Sequence, residues 1–316
     1  AKAQSIDIAD IICAGDNDII FSIQNTGSDV ITSFEAEFNI NNQVITERFE
    51  TELAQYETRQ FIFTQAIKLS PNIYNSELRI TSVNEQEDQN MVNNNVKKII
   101  RVAMNKVQKM PMIEHFSSST CGSCVILDGS MKELTADNPG KYVYTKYVMN
   151  WPTYVDVNDD GKADGDPYYT QEGGERKNFY NVGSVPFLAF NGKSHSYKAV
   201  TQEELDEIYN TPTFIDIKGA FNMDGNNINI IADLMPYVDY NNVKVHISVN
   251  EKITTGNTGS NGLKEFHHIM MKMFPDAQGC TTSLKAGEQQ RFEFTYDMSN
   301  TFVEDINDLE VAVWIQ

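Results

Sequence analysis

The sharpest chemistry in the chain is carried by two cysteines spaced Cys121-Gly122-Ser123-Cys124. They follow Glu114-His115-Phe116-Ser117-Ser118-Ser119-Thr120, a run that reads as a strand leading to a helix start. Thiolate is the reactive form of cysteine, and the unpaired N–H groups and positive dipole end of a helix N-terminus favour it. Cys121 is therefore the expected attacking thiol, and Cys124, close on the same turn, the one that resolves a mixed disulfide. A half zinc site and an inert buried pair are the plainer readings, although a closed zinc site needs four ligands and no second pair stands at a matching spacing in this segment. Farther along, Gly183-Ser184-Val185-Pro186-Phe187-Leu188-Ala189-Phe190-Asn191-Gly192 puts a proline at the head of an apolar strand. A strand proline is unfavourable unless it has a use; a cis X-Pro bond beside a redox site is one such use, and an ordinary edge-strand proline is the other reading.

A second candidate site is the acidic run Asp156-Val157-Asn158-Asp159-Asp160-Gly161-Lys162-Ala163-Asp164-Gly165-Asp166. Asp156, Asn158, Asp160 and Asp164 supply oxygens at alternate places around Gly161, with Lys162 where a backbone carbonyl serves, which matches the front of an EF-hand-type calcium loop. The bidentate acid that should close such a loop is replaced by Pro167, leaving Asp166 or Glu172 as substitutes. An acidic hairpin solvated by water weighs equally. His267-His268 reads as alternating on a strand, so the two rings point apart and do not share a metal. Met270, Met271 and Met273 with Phe274 read as core.

The elements that must position these residues are numerous. The chain has 316 residues, enough for two or three domains, and 44 acidic against 25 basic side chains give a net charge of −19. Such a surface repels phosphates, which argues against nucleic acid and membrane-surface binding. No apolar run has the length of a membrane span. The chain lacks a starting Met and a signal-peptide pattern, so it reads as a processed or recombinant mature segment, and its last strand runs into the chain end as though the native chain continued. Four cysteines are too few to staple this length, and Cys13 and Cys280 read as small buried hydrophobes. From Ser5 to about Val102, short apolar or alternating runs recur every 10 or so residues between turns, the rhythm of an antiparallel sandwich. Lys106 to Pro111 breaks that rhythm. Beyond it, strands Met112 to Phe116, Tyr142 to Met149 and Pro186 to Phe190 alternate with helices near Cys121, around Glu175 to Tyr180 and from Thr201, where Glu204 completes a capping-box pattern. Strand-and-turn rhythm returns from about Thr213. The expected architecture is multidomain α+β: residues 1–105 an immunoglobulin-like β-sandwich, 106–211 an α/β core, 212–316 a second β-sandwich.

Family resemblances sharpen these expectations. Phe21-Ser22-Ile23-Gln24-Asn25-Thr26-Gly27-Ser28, Leu53-Ala54 and the Asn-rich stretch from Gln89 to Asn95 resemble the bacterial cell-adhesion-related (CARDB) β-sandwich, which implies an extracytoplasmic setting. Strand, Cys-x-x-Cys and Val-Pro strand in that order, over about Met112 to Tyr209, resemble the thioredoxin superfamily. In that family the proline is cis, and its backbone and that of the preceding residue guide the substrate; those roles fall on Pro186 and Val185. Thr120 and Ser123 replace the Trp and Pro common before the two cysteines, with Thr120 beside the substrate path. The buried acid of the family sits about six residues before the first cysteine, an offset occupied by His115 with Glu114 one earlier, and the proton acceptor stays open between them. Together with Asn150-Trp151-Pro152, Asp166-Pro167-Tyr168-Tyr169 and Arg176 to Gly183, the chain resembles the thioredoxin-like envelope lipoproteins of the outer membrane protein twenty-eight related group. The resemblance implies export to the periplasm or cell envelope and a lipid anchor outside this sequence. The expected function is thiol-disulfide exchange on protein disulfides or an envelope redox partner, with no required cofactor and calcium as the candidate ion. The alternative is an envelope or surface binding protein in which the α/β core is a scaffold.

Overall fold

The computed structural model describes residues 1–88, 90–152, 165–257 and 259–316. They form two compact units, Ala1–Lys106 and Val107–Gln316. The first unit contains β1 (Lys2–Ile6), β2 (Ile11–Cys13), β3 (Gly15–Asn17), β4 (Ile20–Gln24), β5 (Ile31–Ile40), β6 (Gln43–Leu53), β7 (Thr58–Ile62), β8 (Ile67–Leu69), β9 (Asn72–Val83) and β10 (Asn95–Ala103). Its sheets, β1-β4-β7 and β2-β10-β9-β5-β6, share one apolar core as a β-sandwich. Strand β5 shows why: Phe34, Ala36, Phe38 and Ile40 fall at every second position and are all buried, so one face of the strand supplies the core. The Phe34 ring lies 5.0 Å from that of Phe49 and 4.8 Å from that of Phe61.

The second unit runs β11 (Val107–Gln108), β12 (Met112–Ser117), α1 (Cys124–Asp137), β13 (Val143–Val148), α2 (Gln171–Phe179), β14 (Phe187–Phe190), β15 (Lys193–Ser196), α3 (Gln202–Asn210), β16 (Pro212–Thr213), β17 (Ile215–Asp224), β18 (Asn227–Pro236), β19 (Tyr240–Thr254), β20 (Phe266–Phe274), β21 (Cys280–Leu284), β22 (Gln290–Asp297) and β23 (Leu309–Ile315). One eight-stranded sheet carries the order β15-β14-β12-β13-β20-β19-β21, with β23 beside β19, and β17-β18-β22 forms a separate three-stranded sheet.

This corrects the expected fold class. The protein is mostly β, and a central thioredoxin-like α/β domain between two sandwiches is not what the chain forms. An α/β layer would end at β13. Instead β20 lies parallel to β13, with Lys146 opposite Ile269, and the Asn250 amide donates to the Tyr144 carbonyl at 2.9 Å. The sheet therefore continues without a break into the strands expected to form a separate C-terminal sandwich, and three α-helices among the described residues are too few to cover it.

Local sequence still sets the elements around the cysteines. Helix α1 buries Cys124, Leu127, Asp128, Met131 and Thr135, the one-sided spacing of an amphipathic helix. Helix α3 begins with the capping box: Thr201 Oγ1 accepts from the Glu204 N–H at 3.2 Å, and Glu204 Oε2 accepts from the Thr201 N–H at 2.8 Å. Asn191 and Gly192, with φ of 50° and 79°, turn β14 into β15, as a two-residue hairpin needs. No helix among the described residues is long and apolar enough to cross a membrane. Replacing Phe34 by Ala should destabilise the first unit by about 3–5 kcal/mol, because a ring packed among three others leaves a cavity; chemical denaturation that finds less than about 1 kcal/mol would contradict this packing.

Candidate functional site

Cys121 and Cys124 are joined by a disulfide, with Cα atoms 5.4 Å apart. Cys124 is the first residue of α1, and its N–H donates to the Cys121 Sγ at 3.2 Å. That bond is one of the orphan donors of a helix start turned on the sulfur, and in the reduced protein it would favour a Cys121 thiolate. Val185 brings its carbonyl oxygen to 3.7 Å from the Cys121 Sγ, and the Val185–Pro186 bond is cis. The pair and the proline turn, far apart in sequence, thus meet. Thr120 is buried in the turn before Cys121, where its N–H donates to Ser118 Oγ at 3.2 Å.

Glu114 and His115 lie on opposite faces of β12. Glu114 Oε1 accepts from Arg176 Nη2 at 2.7 Å and from the Tyr147 hydroxyl at 2.9 Å, while Oε2 accepts from the Tyr180 hydroxyl at 2.5 Å. Those contacts bind β12 to α2 and leave the carboxylate engaged. His115 faces α1: its Nδ1 meets the Tyr144 hydroxyl at 2.6 Å, and its Nε2 lies 3.5 Å from Asp128 Oδ1. Asp128 also accepts from Lys146 Nζ at 2.7 Å and from Ser117 Oγ at 3.3 Å. Burial alone would raise the Asp128 carboxyl, but the Lys146 ammonium, aided by His115 and Ser117, holds it below the usual carboxylate range. Burial pushes the His115 imidazole down to about 3, against the pull of Asp128 and with the help of Lys146.

Asp128 and Lys146 are not among the residues that the sequence motifs single out. The signal for Asp128 was there, since four residues past Cys124 is the same face of a helix. Lys146 needed the parallel register that sets it opposite His115. Asp166, considered as a calcium ligand, is already committed: Oδ2 accepts from the Ser119 N–H at 2.9 Å and Ser119 Oγ at 2.5 Å, and Oδ1 from the Tyr168 N–H at 3.0 Å and Asn257 Nδ2 at 2.9 Å. Glu172 pairs with Lys272. Asp156, Asn158, Asp160, Lys162 and Asp164 lie outside the described residues. His267 and His268 do not follow simple alternation, because His268 has a φ of 58°; its Nδ1 meets Glu310 Oε1 at 2.6 Å. Met270, Met271 and Met273 are buried, whereas Cys13 and Cys280 are free and half-buried rather than buried.

The neutral imidazole has a consequence for stability. Its folded value is depressed from 6.5 to about 3, so between those limits the unfolded chain binds a proton that the folded chain refuses. Stability should therefore fall as pH drops from 6.5 towards 3, by about 1.4 kcal/mol per pH unit for each such histidine. His246, also pushed down to about 3 by burial and by Arg176 and Lys244, acts in the same sense. Chemical denaturation of His115→Gln across this range should show a slope smaller by about one proton; an unchanged slope would contradict the assignment.

No family model matches the chain, and no curated protein does. The resemblances to the thioredoxin superfamily and to the outer membrane protein twenty-eight related group gain no support from either comparison. Among solved structures, HBP35 of Porphyromonas gingivalis is similar at a TM-score of 0.51 and 11% identity, over 66% of this chain and 69% of that one, a likeness of fold alone. A protein from Agrobacterium tumefaciens matches at a TM-score of 0.42 and 17% identity, over 61% of this chain and 82% of its own. The CARDB domain of a Pyrococcus furiosus protein, solved in complex with di-metal ions, matches at a TM-score of 0.25 and 14% identity, over 30% of this chain and 86% of its own.

Proposed function

We propose that the chain is an extracytoplasmic thiol-disulfide oxidoreductase acting on protein disulfides. The observation that carries this reading is the Cys121–Cys124 disulfide at the start of α1, with its first sulfur against the Val185 carbonyl. In the direction of substrate reduction, the Cys121 thiolate attacks one sulfur of a substrate disulfide. The substrate S–S bond breaks, and its other sulfur leaves as a thiolate that takes up a proton. Cys124, once deprotonated, attacks the Cys121 sulfur, the mixed disulfide breaks, and the second substrate thiol departs. Two electrons have passed to the substrate and the pair has become the disulfide described above; a dithiol partner restores it. Asp128, one helical turn past Cys124 and kept ionised by Lys146, is the carboxylate we assign to take the Cys124 proton. The periplasm or cell envelope suits this chemistry, because protein disulfides form and persist there.

A second reading, an envelope or surface binding protein in which this unit is a scaffold, is favoured by the depth of the pair: Cys121 is 3% exposed and Cys124 0%. The two readings part in trapping experiments. Cys124→Ser should accumulate mixed disulfides between Cys121 and client proteins, visible as reductant-sensitive bands, whereas Cys121→Ser should form none and lose exchange altogether. Equal trapping by both variants would reverse the roles, and trapping by neither would favour the scaffold.

A further inference from the structure

The connection between β19 and β20 lies against the turn that delivers Cys121. The Asn261 N–H donates to the Ser119 carbonyl at 3.0 Å, and its Nδ2 donates to the carbonyls of Ser118 at 3.1 Å and Cys121 at 3.5 Å. Gly259 sits so close that a Cβ there would come within 2.2 Å of the Ser119 carbonyl oxygen, so no other residue fits without moving the turn. Asn257, from the same connection, shares the Asp166 carboxylate with Ser119. This cover is anchored from behind: the Tyr168 hydroxyl accepts from the Asn257 N–H at 2.8 Å and donates to Glu304, which accepts from the N–H groups of Thr255 at 2.7 Å and Gly256 at 2.8 Å. Thr255, Gly256, Asn257 and Asn261 are thus each tied by hydrogen bonds, to Glu304, to Tyr168 or to the Cys121 turn itself.

Among the described residues the other flank is open. Ser123, Ile126, Ser130, Val185, Pro186 and Tyr197 line a cleft of about 540 Å³ beside the pair, and Ile126 and Tyr197 are 76% and 69% exposed. Among the described lining residues Lys198 is the single charged one. Large apolar side chains left bare beside a reactive sulfur mark a surface that is wetted until something apolar covers it. A small anionic disulfide gains little from such a cleft and meets a chain of net charge −19.

We propose that Asn261 closes one flank of the cysteine pair, so that substrate enters over Ile126 and Tyr197, and that this access selects disulfides within extended apolar protein segments over small anionic ones. Asn261 is then a positioning residue that sets specificity. The proposal rests on the exchange reading above and changes none of its steps: thiolate attack, release of the first substrate thiol and resolution by Cys124 proceed as written.

The test compares two oxidised substrates, a peptide whose disulfide is flanked by Leu and Phe, and oxidised glutathione, with dithiothreitol as the dithiol reductant. The wild-type chain should reduce the peptide at least about tenfold faster, a difference of about 1.4 kcal/mol. Ile126→Asp should lower the peptide rate about tenfold. Asn261→Ala should raise the glutathione rate and shrink the preference to about threefold. A merely structural Asn261 would lower the melting temperature and leave the preference intact, which would overturn the proposal. Should Asn261→Ala fail to fold, Asn261→Leu, close in size and uncharged, removes the Nδ2 donors and reads the same quantity. Equal wild-type rates on both substrates would overturn the cover while the exchange reading stands; no exchange with either would overturn both.

Discussion

Strand β12 has no solvent face, since every residue from Met112 to Ser117 is buried. A charged or polar side chain on such a strand must find its partner inside the protein, because a lone buried charge is strongly destabilising. Glu114 and His115 are adjacent and so point to opposite faces. One face therefore has to supply Arg176 with Tyr147 and Tyr180, and the other Asp128 with Lys146 and Tyr144. These two sets fix α2 on one side and α1 on the other. The strand then ends in Ser117, Ser118 and Ser119, whose polar atoms are taken up by Asp128, Thr120 and Asp166. What reaches Cys121 is a turn held by those contacts, and the pair is placed by partners that the strand's burial demands.

That arrangement explains which parts of the structure could be read from the sequence. The cysteine pair at a helix start, the Val185–Pro186 turn, the Asn191-Gly192 hairpin and the Thr201 capping box are local patterns, decided by residues a few positions apart. The course of the sheet is not local. Whether β13 is an edge depends on β20, and nothing near Lys146 announces that Ile269 will lie beside it. The same strand rhythm after Thr213 fits a separate sandwich or a continuation of the existing sheet, and periodicity does not distinguish the two. Asn261 reaches the Cys121 carbonyl across a separation of 140 residues, beyond any motif.

The site also shows how a strongly acidic chain houses an internal ion network. Asp128 and Lys146 sit beside a histidine that burial keeps neutral, so the pocket below α1 holds one negative and one positive charge with little net field at neutral pH. Proton exchange at Cys124 would draw on that pair, and thiolate formation at Cys121 would draw on the Cys124 N–H. In the proposed exchange, separate groups would thus serve the two sulfurs.

The proposed exchange requires Cys121 to be an activated thiol. The most direct measurement is the pH dependence of alkylation of the reduced protein, with each modified cysteine located by mass spectrometry. Cys121 should react first, with an apparent pKa clearly below the ordinary thiol value of about 8.5, while Cys124 lags well behind. An apparent pKa at or above about 8.5 for Cys121, or equal reaction of the two thiols, would contradict the account.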